Sequence, residues 1–160
     1  MSKKDDIKIS AEKINKLIGY NFKNVSLLNE SFTHKSISEK NYERLEFLGD
    51  AVLQLIITKN LYNKYPDIDE GVLSREKQAI VSKKIISKIS LELGLTDFLI
   101  SKNLDLNSSS ALKHTIASNM IESLIGALFL DSNYSICEKI VSEIFSKHFI
   151  SCSVKIVPSG

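Results

Sequence analysis

Residues 43–52, Glu-Arg-Leu-Glu-Phe-Leu-Gly-Asp-Ala-Val, place three carboxylates inside an otherwise strongly apolar stretch of the chain. Their spacing aligns Glu43, Glu46 and Asp50 along one stripe of an α-helix. The leucine, phenylalanine and valine residues around them indicate that much of this helix packs inside. Carboxylates that border a core carry a large desolvation cost unless a cation offsets it. The stretch therefore predicts a core helix with a metal ion against one face, and phosphate chemistry is a common reason to hold one.

The composition of the 160-residue chain predicts one mostly helical domain. Apolar residues make up 43% and charged residues 25%, as in ordinary globular proteins. The net charge of +2 permits binding to a polyanion without predicting it. Cys137 and Cys152 form no CxxC motif, so we interpret them as free thiols. Because no secretory signal and no bilayer-spanning apolar run is visible, we expect a cytoplasmic protein without membrane contact.

Hydrophobic periodicity predicts helices over residues 10–18, 24–32, 42–64, 72–93, 116–130 and 134–149. Tyr65-Pro66 should end the third helix, since the residue before proline disfavours the α region. Asp69 or Glu70 could cap the fourth helix and Gly94 could end it. Residues 107–110 read as a loop. We expect a polar leader over residues 1–9, one domain over 10–150, and a linker stump or tail over 151–160.

A second acidic motif lies in the predicted helix 116–130. Asn119 and Glu122 are three residues apart and share a face of an otherwise nearly apolar helix. If this helix packs beside the one that carries Glu46 and Asp50, the four side chains would form the oxygen-only site that Mg²⁺ prefers. The alternative is that each acid lies on a partly solvated edge. Periodicity alone leaves both interpretations open.

Residues 43–52 resemble the signature of the ribonuclease III family position by position. Residues 32–36 are similar to the family's segment upstream of the signature, residues 69–74 to the turn that opens its next helix, and residues 122–127 to its second acidic helix. The resemblance covers residues 10–150. It implies an all-α, dimeric endonuclease domain that cuts both strands of double-stranded RNA and leaves 5′-phosphate and 3′-hydroxyl ends.

The same resemblance implies which residues carry the reaction. Asp50 and Glu122 would be catalytic, and Mg²⁺, with Mn²⁺ as a substitute, is the expected cofactor. The predicted metal-site residues are Glu46, Asp50, Asn119 and Glu122. No glycine-rich phosphate loop is present, so no nucleotide cofactor is expected.

Other residues would serve the substrate and the homodimer. Glu43 and Glu70 would be accessory acids. Phe47 would insert into the partner subunit, and the alternative is that its ring belongs to the core. The residues predicted to contact RNA phosphates are Lys35, Arg75, Lys83 and Lys84, with solvated helix faces as their alternative.

Asn119 departs from the family pattern, which usually has aspartate at this position. A neutral amide keeps an oxygen but weakens the field around a dication, and a barrier raised by ~1.4 kcal/mol would slow the reaction about tenfold. We therefore predict an active but weakened or more metal-demanding enzyme. The alternative is a silent family member that acts as a structured-RNA-binding scaffold. Glu46, Asp50 and Glu122 argue against it, because clustered acids repel RNA unless metal is bound.

Overall fold

The computed structural model describes the backbone of residues 2–155 and the side chains of residues 2, 4, 5 and 10–149. Its α-helices are α1 (Lys3–Ile18), α2 (Val25–Ser31), α3 (Glu43–Lys64), α4 (Glu70–Ile80), α5 (Lys83–Glu92), α6 (Ser110–Asp131) and α7 (Tyr134–Lys155). Short 3₁₀ turns occupy Leu95–Phe98 and Leu106–Ser108. Within residues 2–155, extended pairing is limited to an isolated bridge between Thr33 and Ile100. The predicted all-α fold is confirmed.

The structure corrects the helix predicted over residues 72–93, which is two helices. α4 ends at Ile80, and Ser82 begins α5 by accepting a hydrogen bond from the Ile85 amide at 3.3 Å. Apolar residues continue across the break, so the hydrophobic period conceals it, whereas the serine hydroxyl supplies the cap that restarts the helix. The cap predicted for the first of the two is confirmed, since Asp69 accepts from the Val72 amide at 3.0 Å.

Two further helices begin earlier than their apolar periods predict. α1 begins at Lys3, where Ser2 and Asp5 form a reciprocal capping box. α6 begins at Ser110, capped by the side chain of Ser109, and a 3₁₀ turn precedes it within the predicted loop. In both cases a serine side chain caps the first turn, so local capping sets the helix start.

α6 lies at the centre of the fold and packs against α2, α3, α5 and α7. Its most extensive partner is α3. The largest fully buried side chains of the core include Leu53, Ile56 and Ile57 of α3, Met120, Ile121 and Leu128 of α6, and Phe145 of α7. Burial of this kind contributes roughly 1.5–3 kcal/mol for each large apolar side chain. The α3–α6 pair is therefore the rigid frame of the domain.

Two glycines let α3 and α6 touch backbone to backbone. A Cβ atom at Gly49 would lie 1.6 Å from the carbonyl oxygen of Glu122, and one at Gly126 would lie 2.2 Å from that of Leu45. Neither distance is compatible with a side chain at these positions. The crossing therefore fixes the residues that flank Gly49 on α3 against those that flank Glu122 on α6.

The far end of α6 is tied to the α1–α2 connection through Asp131. Its carboxylate accepts hydrogen bonds from the Tyr20 hydroxyl at 2.7 Å, the Lys23 amide at 2.8 Å and the Asn24 amide at 2.9 Å. Burial pushes its pKa upward, but these three donors hold that pKa below the usual aspartate value. The Asp131 carboxylate therefore joins the end of α6 to the α1–α2 connection, which is distant from it in sequence.

Two sequence expectations concern the cysteine thiols and membrane-spanning segments. Cys137 is a buried free thiol, as predicted, and burial raises its pKa to about 12. The side chain of Cys152 lies outside the described residues. No helix in the described part of the chain is long and apolar enough to cross a membrane.

Candidate metal and phosphodiester site

The α3–α6 crossing brings together the carboxylates that the sequence predicts as a site. Glu46 and Glu122 are partly buried, whereas Asp50 is exposed beside them. Burial raises the pKa of Glu46, and the charges of Glu43 and Asp50 raise it further. Burial also raises the pKa of Glu122 to about 8, and the charges of Asp50 and Glu46 add to that shift. The acids of the two helices therefore interact electrostatically across the crossing.

The charges that act on this cluster all have the same sign. Each residue that shifts the pKa of Glu46 or Glu122 by its charge is itself a carboxylate. The ion pairs Lys40–Glu30 and Lys59–Glu138 lie elsewhere on the molecule. A partly buried group of like charges is unfavourable unless it binds protons or a cation. The cluster therefore has the electrostatics of a cation site.

The fit to a specific ion depends on how many protein ligands that ion needs. Among the described residues, no group of three or more His, Cys, Asp or Glu side chains is arranged so that it could hold a metal ion by itself. Mg²⁺ does not require one, because it keeps several waters and is held by one or two carboxylates together with substrate phosphates. One or two of the carboxylates of Glu46, Asp50 and Glu122, completed by waters and substrate phosphates, would suit Mg²⁺, whereas an ion that needs a full protein shell would find none here.

Asn119 lies beside Glu46 and makes hydrogen bonds at both ends of its amide. In the orientation that satisfies its neighbours, the nitrogen donates to Oε1 of Glu46 at 3.0 Å and to the Thr115 carbonyl at 3.1 Å. The buried hydroxyl of Tyr42 is hydrogen-bonded to the same side chain. Sequence reasoning placed Asn119 at the site but missed Tyr42 and Thr115, which hold its amide.

Phe47 lies on the surface, which overturns the alternative that its ring belongs to the core. Its side chain is 84% exposed. It stands at the edge of a groove of about 970 Å³ whose apolar lining includes Leu27, Leu45, Leu48 and Leu130. Leu55 and Tyr62, also exposed, continue the same face of α3. A ring this exposed, next to a groove that combines these leucines with charged residues such as Glu30, Lys40 and Arg44, marks a surface suited to burial against another molecule.

The two predicted accessory acids differ in their relation to the cluster. Glu43 is exposed on the first turn of α3 and contributes to the pKa shift of Glu46. Glu70 is exposed on the first turn of α4 and is not among the residues that shift the pKa of Glu46 or Glu122. Glu43 is therefore coupled electrostatically to Glu46, whereas the accessory role of Glu70 stays a prediction.

The four predicted RNA contacts, Lys35, Arg75, Lys83 and Lys84, are all exposed. Of these four, Lys83 has a hydrogen bond to the helix that carries Asn119 and Glu122. Its ammonium group donates to the hydroxyl of Thr115, one turn before Asn119 on α6. Lys35 follows His34, whose Nδ1 is hydrogen-bonded to the Ser36 hydroxyl at 2.8 Å and accepts from the Ser36 amide at 3.1 Å. His34 therefore has a structural role in the turn that carries Lys35.

The glycines of the crossing are the positions that sequence reasoning passed over. Gly49 lies between Glu46 and Asp50, and Gly126 follows Glu122 by one helical turn. A small residue on the same face as the acids, in each of two apolar helices, was a usable signal that the helices approach closely at the site.

Residues 24–148 match the family model described as Ribonuclease-III-like. The chain is 37% identical over 139 residues to Ribonuclease 3 of Buchnera aphidicola subsp. Acyrthosiphon pisum, an alignment that covers 87% of this chain and 62% of that protein. The chain thus spans less than two thirds of the length of this curated relative.

Solved structures show the same likeness. The nuclease domain of ribonuclease III from Campylobacter jejuni superimposes with a TM-score of 0.79 at 37% identity, covering 86% of this chain and 95% of that one. A second structure of that domain, described by structural flexibility in a region involved in dimer formation, gives a TM-score of 0.80 at 36% identity and covers 87% and 98%.

Proposed function

Because this chain belongs to the Ribonuclease-III-like family, we propose that it is a metal-dependent endoribonuclease that cleaves double-stranded RNA to 5′-phosphate and 3′-hydroxyl ends. The observation that carries the proposal is the group of Glu46, Asp50 and Glu122 at the α3–α6 crossing, where the pKa of Glu122 is raised to about 8. A pure RNA-binding scaffold has no physical use for such a cluster, because its charge repels the phosphate backbone when no cation is present.

Mg²⁺, or Mn²⁺ in its place, would be held by oxygens of Glu46, Asp50 and Glu122 and would polarise a phosphate oxygen and activate a water. Asp50 and Glu122 are the proposed catalytic residues. The two helices hold the acids in fixed relative positions, since their backbones are in direct contact at Gly49 and Gly126.

The RNA would lie across the exposed ends of α4 and α5 and approach the acids from the side of Lys83. Lys83 already contacts Thr115 on α6, so a phosphate bound there would be within reach of the site. Lys35, Arg75 and Lys84 would add further phosphate contacts. With few such contacts and a net charge of +2, binding should be weak, sensitive to salt, and based on duplex shape and 2′-hydroxyl groups.

A homodimer would bury the surface around Phe47. In a two-fold dimer the same patch faces itself, so a protruding ring beside an apolar groove is self-complementary. Each Phe47 would enter the groove of the other subunit, among Leu27, Leu48 and Leu130. Exposure of 84% for a phenylalanine supports this assignment. Cytoplasmic localisation stays a prediction from the sequence.

The test is incubation of a labelled RNA duplex with the protein in Mg²⁺ or in EDTA. Metal-dependent products with staggered ends and short 3′ overhangs are expected. Glu122→Gln should abolish cleavage, whereas Glu12→Gln, the same change at an exposed position of α1, should not. Duplex binding without cleavage in either Mg²⁺ or Mn²⁺ would instead assign the protein to the scaffold alternative.

A further inference from the structure

The amide of Asn119 is already committed to protein partners before any metal arrives. We assign the orientation of this amide from its neighbours: only with the nitrogen toward α3 does it meet acceptors, Oε1 of Glu46 at 3.0 Å and the Thr115 carbonyl at 3.1 Å. The Tyr42 hydroxyl is hydrogen-bonded to the same amide, and Tyr42 is only 3% exposed. An amide with partners at both ends has its orientation fixed, with the nitrogen and not the oxygen turned to the acid cluster.

The partners of Asn119 are themselves held in place. The Tyr42 amide donates to the Thr33 carbonyl at 2.9 Å, and the Tyr42 carbonyl accepts from the Glu46 amide at 2.8 Å. Thr115 lies one turn before Asn119 on the same helix, and its hydroxyl accepts from Lys83. Rotating the Asn119 amide by half a turn would set its oxygen against the oxygens of Glu46 and Thr115. Ligation of a metal through that oxygen would therefore break a connected set of hydrogen bonds.

We propose that Asn119 is a positioning residue that donates a hydrogen bond to Glu46 and fixes this carboxylate before metal binds, and that it is not itself a metal ligand. This role replaces the ligand role that the sequence predicts for Asn119. The hydrogen bond to Glu46 does not depend on the proposed function, whereas the statement that Asn119 is not a metal ligand rests on it. The domain then has a site that is organised in the metal-free state, with one negative charge fewer than a site that carries aspartate at this position.

An aspartate at position 119 would reverse the interaction. It would place a second carboxylate about 3 Å from Glu46 and against the Thr115 carbonyl, with no proton to share unless one of the acids is neutral. Such a site is stabilised either by a proton on one of the acids or by a cation between them. Asn119 therefore lowers the dependence of the site's stability on metal, whereas aspartate would increase it.

The experiment compares thermal unfolding midpoints in EDTA and in Mg²⁺ for the wild type and for Asn119→Asp. The matched control is Asn63→Asp, the same change at an exposed position of α3. In EDTA we expect Asn119→Asp to lower the midpoint by about 4–8 °C and Asn63→Asp to lower it by about 1 °C or less. Mg²⁺ should raise the midpoint of Asn119→Asp by more than it raises that of the wild type.

A compensating variant keeps the test decisive if Asn119→Asp does not fold in EDTA. Glu46→Gln combined with Asn119→Asp restores a donor opposite an acceptor, in the reverse direction, so its midpoint in EDTA should recover to within about 2 °C of the wild type. If Asn119 stabilised the fold without holding Glu46, the change Glu46→Gln would not restore the unfolding midpoint of Asn119→Asp.

The possible outcomes separate this inference from the proposed function. An Asn119→Asp midpoint in EDTA equal to that of the wild type, or a double variant as unstable as the single one, would overturn the positioning role whatever the nuclease assay shows. Absence of RNA cleavage by the wild type in Mg²⁺ would overturn the proposed function, while the comparison in EDTA would still decide whether Asn119 holds Glu46.

Discussion

α6 carries two partly buried carboxylates whose neighbours shift their pKa values in opposite directions. Glu122, in the middle of the helix, has its pKa raised to about 8 by burial and by the charges of Asp50 and Glu46. Asp131, the last residue of the helix, accepts three hydrogen bonds from the α1–α2 connection, and its pKa is held below the usual value. The protein supplies no hydrogen-bond donor to the Glu122 carboxylate among the described residues, whereas it supplies three to the Asp131 carboxylate.

This contrast separates function from stability within a single helix. A carboxylate that is buried, surrounded by other carboxylates and left without donors is unfavourable in the isolated protein, and such groups are concentrated at functional sites. A carboxylate saturated by backbone amides and a hydroxyl stabilises the fold and has little capacity left for a ligand. The comparison yields predictions that act on one end of α6 without disturbing the other.

The largest expected effect is on catalysis, from Glu122→Gln. Loss of a proposed metal-site carboxylate should reduce RNA cleavage by about a thousandfold or more, a barrier increase of ~4 kcal/mol. The same change removes a buried like charge, so the metal-free protein should be at least as stable as the wild type at pH 8. Single-turnover cleavage and thermal unfolding in EDTA measure the two effects. A variant that lost stability and activity together would show that Glu122 is part of the structural frame.

The second prediction concerns the crossing that holds the acids together. Gly49→Ala should destabilise the domain by roughly 3 kcal/mol or more, because the new methyl group would meet the Glu122 carbonyl oxygen and must push the helices apart. Chemical denaturation measures the loss. Gly71→Ala is the matched control, since its methyl group would meet only the Asp69 side chain at 3.3 Å. Equal and small effects at both positions would mean that the α3–α6 contact is looser than the structure gives.

The third prediction acts on the other end of α6. Asp131→Ala removes the acceptor for Tyr20, Lys23 and Asn24, and should cost about 1–3 kcal/mol of unfolding free energy while leaving the site geometry intact. Asp67→Ala, at an exposed turn position, should change stability by less than about 0.5 kcal/mol. Cleavage per folded molecule should stay at the wild-type level, and a specific loss of activity would mean that the two ends of α6 are coupled.

The two ends of α6 also differ in how far the sequence could predict them. The spacing of Glu46, Asp50 and Glu122 on apolar helices identified the acidic faces, because a helical period is a local property. Tyr65-Pro66 likewise marked the end of α3, which the structure places at Lys64. The role of Asp131 could not be predicted, since its hydroxyl donor Tyr20 lies 111 residues away and no local pattern encodes that contact.

Orientation was the other property beyond the reach of the sequence. Spacing placed Asn119 on the acidic face but could not decide which end of its amide faces Glu46, because that depends on Tyr42 and on the tilt of α3 across α6. The break at Ser82 was missed for a related reason, since apolar residues continue through it and only the serine cap distinguishes two helices from one. Local periods predict faces, whereas tertiary contacts decide partners.

The fourth prediction is the pH dependence of stability in EDTA, where the two acids act in opposite directions. The pKa of Glu122 rises from 4.5 to about 8 on folding, so the folded state binds this proton more tightly, and its contribution to stability is lost as pH rises from about 5 to 8. The pKa of Asp131 is lowered on folding, so its contribution is present at neutral pH and is lost only as pH falls below the ordinary aspartate value. Glu122 should therefore contribute a decline in the unfolding midpoint of the wild type from pH 5 to pH 8. The raised pKa of Glu46 adds to this decline, whereas the lowered pKa values of His34 and His148 oppose it. Glu122→Gln should flatten this decline, and Asp131→Ala should leave it unchanged while reducing the loss on acidification.

Mg²⁺ should also flatten the decline of the midpoint with pH, since the ion competes with the proton for the same oxygens. A decline that persists in Glu122→Gln would assign the titration to another group, and the contrast between the two ends of α6 would then rest on hydrogen bonding alone.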